Sequence, residues 1–170
     1  MTNSKHSEKH ADMSIEENKA LVQRYFKDAP DHPEVCDEIF TSTVHWHALY
    51  LTKNPDFITD PQKEKAAYAR HKAIWGGWSE SIDEMIAEGD RVMVRWTFRG
   101  THQGNYLGIS PTNKPVTFSG VYIFRIKDRR IAEVWNLWDQ LGEWQQLGIL
   151  PETPEILSPT KNKRFSEETK

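Results

Sequence analysis

Two histidines one residue apart, His45 and His47, stand in the segment TVHWHALYL at 43–51. Its β-branched and aromatic start predicts a strand, and on a strand residues two apart point the same way, so both imidazoles share a face. His-x-His on a strand can grip a metal ion, and it can equally set a general base beside a substrate. A metal needs a third ligand, and the neighbouring sequence offers none, leaving His71 or His102 to reach it only through space. No metal site is expected, and His47 is left as either an acid/base group or a hydrogen-bonded structural histidine. Asp139, just before LGEWQQLG, is either a proton-transfer group or the cap of a short helix, a role that favours Asp. The cap is the expectation. Cys36 reads as a small core residue, His102 as loop packing, and Trp75 and Trp78 as core aromatics flanking Gly76 and Gly77.

These residues need elements to hold them. Ser14-Ile15-Glu16-Glu17 is a capping-box pattern that opens a helix carrying Leu21 with Tyr25 and Val22 with Phe26, ending near Ala29 before Pro30. A short helix follows from about Pro33, then the 43–51 strand, then KNPDFITD as a loop. Asp60 caps a helix with Pro61 at its first position, expected to run until Gly76-Gly77. The period then becomes two. SIDEMIAE (81–88) and RVMVRWTFR (91–99) form a hairpin across Gly89-Asp90, and VTFSGVYIFRI (116–126) pairs with RIAEVWNLWDQ (130–140). On these strands Tyr122, Phe124 and Ile126 share one face, as do Asn136 and Trp138. The order predicts an α+β fold with helices on one face of a curved antiparallel sheet. Trp96, Phe124 and Trp138 suit the wall of a hydrophobic pocket. The other face is also apolar, Trp135 included, which predicts a homodimer through the outer sheet face.

The chain has 170 residues, the size of one domain. Its 22 Lys and Arg against 25 Asp and Glu give a net charge of −3, unlike the basic patch of a nucleic-acid binder. A mean hydropathy of −0.73 goes with the absence of any run long and apolar enough to span a membrane. The first residues, MTNSKHSEKHADMS, lack a signal peptide's apolar centre, and the single cysteine fits a reducing compartment, so a cytoplasmic location is expected. Residues 1–13 and 151–170 are too polar to bury and are expected to be mobile tails around a body at 14–150.

EGDRVMVRWTFRGTHQGNYLGISPTNKPVTFSGVYIFRI, followed by IAEVWNLWDQLGEWQQLGIL, resembles the SnoaL-like polyketide cyclases, or ester cyclases, of the nuclear-transport-factor-2-like superfamily. The most specific block runs from Gly100-Thr101-His102-Gln103-Gly104 to Leu107-Gly108-Ile109-Ser110-Pro111-Thr112, with Phe118-Ser119-Gly120 after it. The resemblance implies a cone-shaped α+β barrel with one pocket between bent sheet and helices. It also implies ring closure without metal or organic cofactor, by a carboxylate that takes a proton alpha to a carbonyl while an imidazole assists. Carried along the last hairpin, those two positions read Asn136 and Tyr122 here, which can hydrogen-bond a carbonyl but supply no base near neutral pH. The family's histidine near the first strand is best matched by His47. The expectation is therefore a cofactor-independent enzyme for a small hydrophobic carbonyl compound, with His47 as base, Tyr122 and Asn136 orienting the oxygen, and His45, Trp96, Phe124 and Trp138 lining the site. A non-catalytic ligand-binding module on the same fold is the alternative. Epoxide hydrolysis ranks last for want of a carboxylate pair.

Overall fold

The computed structural model describes residues 13–50 and 53–152. Of the two expected tails, only Met13, Pro151 and Glu152 fall within that range, and the mobility expected of the rest lies outside the described residues. Helix α1 (Ile15–Lys27) begins as the capping box predicts: the Ser14 hydroxyl accepts from Glu17 N–H at 3.2 Å and the Glu17 carboxylate accepts from Ser14 N–H at 2.8 Å. It buries Leu21, Val22, Tyr25 and Phe26. A 3-10 turn (Pro33–Val35) leads into α2 (Cys36–Ile39), and α3 (Pro61–Ile74) is capped by Asp60, which accepts from the N–H groups of Gln62 and Lys63. The last helix, α4 (Gln140–Leu147), ends at Gly148 in the left-handed conformation.

Six strands form one sheet: β1 (Phe40–Ala48), β2 (Asp56–Thr59), β3 (Trp75–Glu88), β4 (Arg91–His102), β5 (Pro115–Lys127) and β6 (Arg130–Trp138), in the order β2-β1-β6-β5-β4-β3. The α+β class and the helices packed on the sheet are as the sequence predicts. The sheet itself differs in two respects. It is mixed rather than antiparallel, because β1 runs parallel to β6. It is also open, with β2 and β3 as free edges, and so is not a closed barrel. Strand β2 lies inside the segment expected to be a loop, where Asp56–Thr59 pair antiparallel with His47–Val44. Strand β3 begins at Trp75, six residues before Ser81. Gly76 and Gly77 do not break the chain there. Gly77 takes a φ of +58° and the register shifts between Gly76 and Ser79, so the pair makes a bulge within a long strand. This lengthening adds Trp78 and Glu80 to the sheet.

Strand register sets out the inner face in rows. Glu80, Phe98 and Phe118 lie side by side across β3, β4 and β5. The next row runs Ile82, Trp96, Gly120 and Trp138, and the next Val94, Tyr122, Asn136 and Ala48. Gly120 is required in this grid, since a Cβ there would come within 2.6 Å of Trp96 Cζ2 and 2.7 Å of the Leu137 carbonyl. Helices α1 and α3 close over the rows with Tyr25, Phe26 and Tyr68, giving a core of interlocked aromatic rings. No helix among the described residues is long and apolar enough to cross a membrane.

Candidate functional site

Tyr122 is the hub of the inner face. Its ring stacks on Trp96 at 5.2 Å and meets Tyr25, Phe26 and Trp46 edge-on at 5.8, 5.9 and 6.1 Å. Phe124 lies 5.4 Å along the same strand, and Asn136 is its cross-strand partner on β6. Trp138 faces the same way, with its indole N–H donating to Glu143 Oε2 at 3.1 Å and its ring against Tyr50. Five of the seven residues singled out from the sequence therefore come together: Tyr122, Asn136, Trp96, Phe124 and Trp138.

His45 and His47 are the correction. Trp46 and Ala48 point inward, so the parallel pairing of β1 with β6 turns both histidines to the outer face. His45 is exposed, and the sheet lies between His47 and the Tyr122–Asn136 pair. His47 instead stacks on Trp135 at 4.9 Å, with Nδ1 2.6 Å from Asp56 Oδ1 and Nε2 2.8 Å from Glu133 Oε1. Both ring nitrogens face carboxylate oxygens, so both must donate, which is the imidazolium form. Burial pulls its pKa down, but the bonds to Glu133 and Asp56 outweigh that and hold it above the ordinary value. Glu133 also accepts from Arg125 at 2.5 Å. Burial works against its charged form, yet the bonds from His47 and Arg125 keep its pKa low. No cluster of three or more His, Cys, Asp or Glu able to hold a metal ion occurs among the described residues.

The remaining singled-out residues have structural roles. Asp139 caps α4, its Oδ1 accepting from Gly142 N–H at 2.8 Å. Cys36 is buried and burial pushes its thiol up to about 11. His102 is fully buried, and Thr112 N–H donates to its Nδ1 at 3.2 Å, fixing the loop. Trp75 is buried in the core. Trp78 lies beside Tyr68 and Phe98, with the His71 ring 5.4 Å away. His71 is open to solvent on one side, and crowding on the other, helped by Arg70, lowers its pKa to about 4.

Besides Glu143, which accepts from Trp138, two inner-face carboxyls had no part in the sequence reading. Glu64 of α3 is buried and raised to about 7 by desolvation, although Thr59 and the nearby Trp46 indole partly offset this. Glu80 is half-buried beside Phe98, and desolvation alone raises it to about 7. Its charge acts on the phenols of Tyr25, Tyr68 and Tyr122, which burial holds well above the ordinary value and therefore neutral. The signal for Glu80 was its alternation with Ile82, hidden because the strand was expected to start at Ser81. Two open recesses lie among the described residues. One of about 600 Å³ lies at the far end, between Met13–Asn18 and the Arg125–Arg129 turn. The other, about 340 Å³, opens between Gln23, Phe26 and Lys27 of α1 and Glu80, Ser81 and Ile82 of β3. Neither is the apolar chamber expected between sheet and helices.

Several buried polar atoms here have no partner. Among them are Trp96 Nε1 and Asn136 Oδ1, and the Trp46 N–H leans toward Glu64 without reaching hydrogen-bond geometry. Such groups are expensive to leave unpaired, at about 1–3 kcal/mol each.

The fold has many solved counterparts. TsrD from Streptomyces laurentii superposes with a TM-score of 0.70 at 23% identity, covering 81% of this chain and 99% of that one. A SnoaL-like protein from Jannaschia sp. CCS1 gives 0.69 at 22%, over 82% and 99%. A SnoaL-like polyketide cyclase from Agrobacterium tumefaciens gives 0.64 at 14%, over 80% and 100%. At these identities the likeness is one of fold. No curated protein matches the sequence. The model of the SnoaL-like polyketide cyclase family, however, matches residues 20–147, most of the chain, and the protein belongs to that family.

Proposed function

We propose that this protein is an enzyme acting on a small hydrophobic carbonyl compound by acid/base chemistry that needs no cofactor, at the inner face around Tyr122. The carrying observation is the pair of unpartnered polar groups, Trp96 Nε1–H and Asn136 Oδ1, set beside Tyr122 in otherwise aromatic surroundings. Flat apolar carbon would lie against the rings, while its oxygen takes hydrogen bonds from neutral donors such as the Tyr122 hydroxyl. Those donors favour the negative charge an enolate oxygen develops. A titration of tryptophan fluorescence with 2-tetralone and with its hydrocarbon counterpart tetralin tests this. The ketone should bind about tenfold more tightly, and Trp96→Phe, which keeps the stacking but removes the N–H, should narrow the gap. Equal binding of the two would contradict the reading.

A second reading, a binding module without catalysis, is favoured by Asn136 and Tyr122 standing where the family resemblance implies a carboxylate and an imidazole. Pairing of two copies through the outer face belongs to the same proposal. Leu137 is 49% exposed there, next to the half-buried Trp135 and Ile123. Light scattering should give a dimer mass that Leu137→Glu halves, and a wild-type monomer would contradict the pairing.

A further inference from the structure

The Tyr122 site as described so far has hydrogen-bond donors but no base. Asn136 cannot accept a substrate proton, Tyr122 stays a neutral phenol, and His47 is on the other face. A base must therefore come from another wall. Glu64 is engaged with Thr59 and lies under Trp46, and Glu143 accepts from the Trp138 indole N–H, whereas Glu80 makes no hydrogen bond or ion pair with any described residue. Glu80 sits in the inner row with Phe98 and Phe118, one row across from Trp96. It borders the recess of about 340 Å³, whose Phe26 packs on Tyr122 at 5.9 Å. A carboxyl with an open path on one side and the Tyr122 hub on the other is placed to meet a substrate there.

We propose that Glu80, entering from β3, is the catalytic acid/base residue of this site, taking the place of a carboxylate at Asn136. The proposal rests on the reading of the inner face as a site for carbonyl compounds. The Glu80 carboxylate takes a proton from the carbon next to the carbonyl. The C–H bond breaks, an O–H bond forms on Glu80, and the electron pair moves to the carbonyl oxygen as an enolate. When the enolate carbon forms its new bond, Glu80 returns the proton to the oxygen that becomes negative, and no electrons enter or leave. A pKa of about 7 suits a group that must both take and return a proton near neutral pH. The titratable groups that face Glu80 are Lys27 and Tyr25 of α1, Tyr68 of α3 and Tyr122 of β5. Lys27, the one cation at the recess, is exposed and makes no ion pair with it.

The test is exchange of the α-hydrogens of 2-tetralone in D2O, followed by proton NMR on the full chain, with binding measured separately by tryptophan fluorescence. Wild type should exchange faster than Glu80→Gln by about 10²-fold or more at equal bound fraction. The wild-type rate should rise with pH and level above about 7. Glu133→Gln, on the outer face, should keep the wild-type rate. Glu80→Gln is close in shape, and an unchanged far-ultraviolet spectrum shows that it is folded. Exchange by Glu80→Gln equal to wild type, or a wild type that binds the ketone without exchanging it, would overturn the assignment while leaving the carbonyl site intact. A wild type that does not bind 2-tetralone would overturn the site reading instead.

Discussion

The two faces of the sheet carry the same kinds of ionisable side chain and treat them in opposite ways. On the outer face, Asp56, His47, Glu133 and Arg125 form a ladder across β2, β1, β6 and β5 in which each charge has an opposite neighbour. His47 is accordingly raised and Glu133 lowered, so both favour their charged forms. On the inner face, Glu64 and Glu80 have aromatic rings and phenols around them and no cation paired to either, so desolvation raises both to about 7. Paired charges on a surface stabilise modestly, whereas an unpaired carboxyl in apolar surroundings destabilises the fold and is typical of a working site. The inner face also holds orphaned polar atoms of Trp96 and Asn136. The contrast is what supports the proposed chemistry on the inner face, with the outer face as a clasp of paired charges.

The contrast can be broken by exchanging what each face holds, and the largest effect concerns packing. Phe124 and Ile123 are neighbours on β5 that face opposite ways, one fully buried and the other half-buried. Phe124→Ala should cost about 3–5 kcal/mol in urea unfolding and Ile123→Ala clearly less, and equal losses would show that the outer face is packed as tightly as the inner. Next come the inner carboxyls. A carboxyl whose pKa is about 7 in the folded state and 4.5 unfolded keeps its proton longer when folded, so it lowers stability as pH rises between those values. Glu80→Gln should therefore raise stability at pH 8 by up to about 3 kcal/mol and change little at pH 4. A loss at pH 8 would contradict the account.

Glu133→Gln should act with the opposite sign, lowering stability by about 1 kcal/mol or less at pH 6, where His47 is charged. His47's raised pKa means that its contribution is complete below its unfolded value and fades as pH passes through the folded one. The Glu133→Gln penalty should accordingly shrink by pH 9, read from thermal midpoints, and a penalty that grew with pH would be inconsistent with the ladder. The change with the least reach into either face is at the end of β6, where Asp139→Ala removes the α4 cap and should cost about 0.5–2 kcal/mol without altering ketone binding. Loss of binding in that variant would return Asp139 to the site.

What the sequence made legible was mostly local. Ser14, Asp60 and Asp139 announce helix starts because a cap bonds within three residues of itself. The β4, β5 and β6 strands were readable because alternation is a property of each strand alone, and it correctly grouped Tyr122 with Phe124 and Asn136 with Trp138. The failures were non-local. Alternation shows that His45 and His47 share a face but not which one, since that depends on a parallel pairing with residues nearly ninety positions away. Strand β2 is four residues with three exposed, so it carries no pattern and exists by pairing with β1. Gly76-Gly77 looks like a helix stop, and only the partner strand shows it to be a bulge that leaves Glu80 facing inward. The raised pKa of Glu80 likewise comes from burial by the packed fold, which no local window contains.

The central claim is that the inner face holds a carboxyl poised near neutrality while the outer face holds an ordinary ion pair. NMR titration of ¹³C-carboxyl-labelled glutamate tests it directly, with Glu80→Gln and Glu133→Gln assigning the two signals. The account predicts that Glu80 titrates at about 7 and Glu133 below the ordinary 4.5. A Glu80 midpoint at or below that of Glu133 would contradict it.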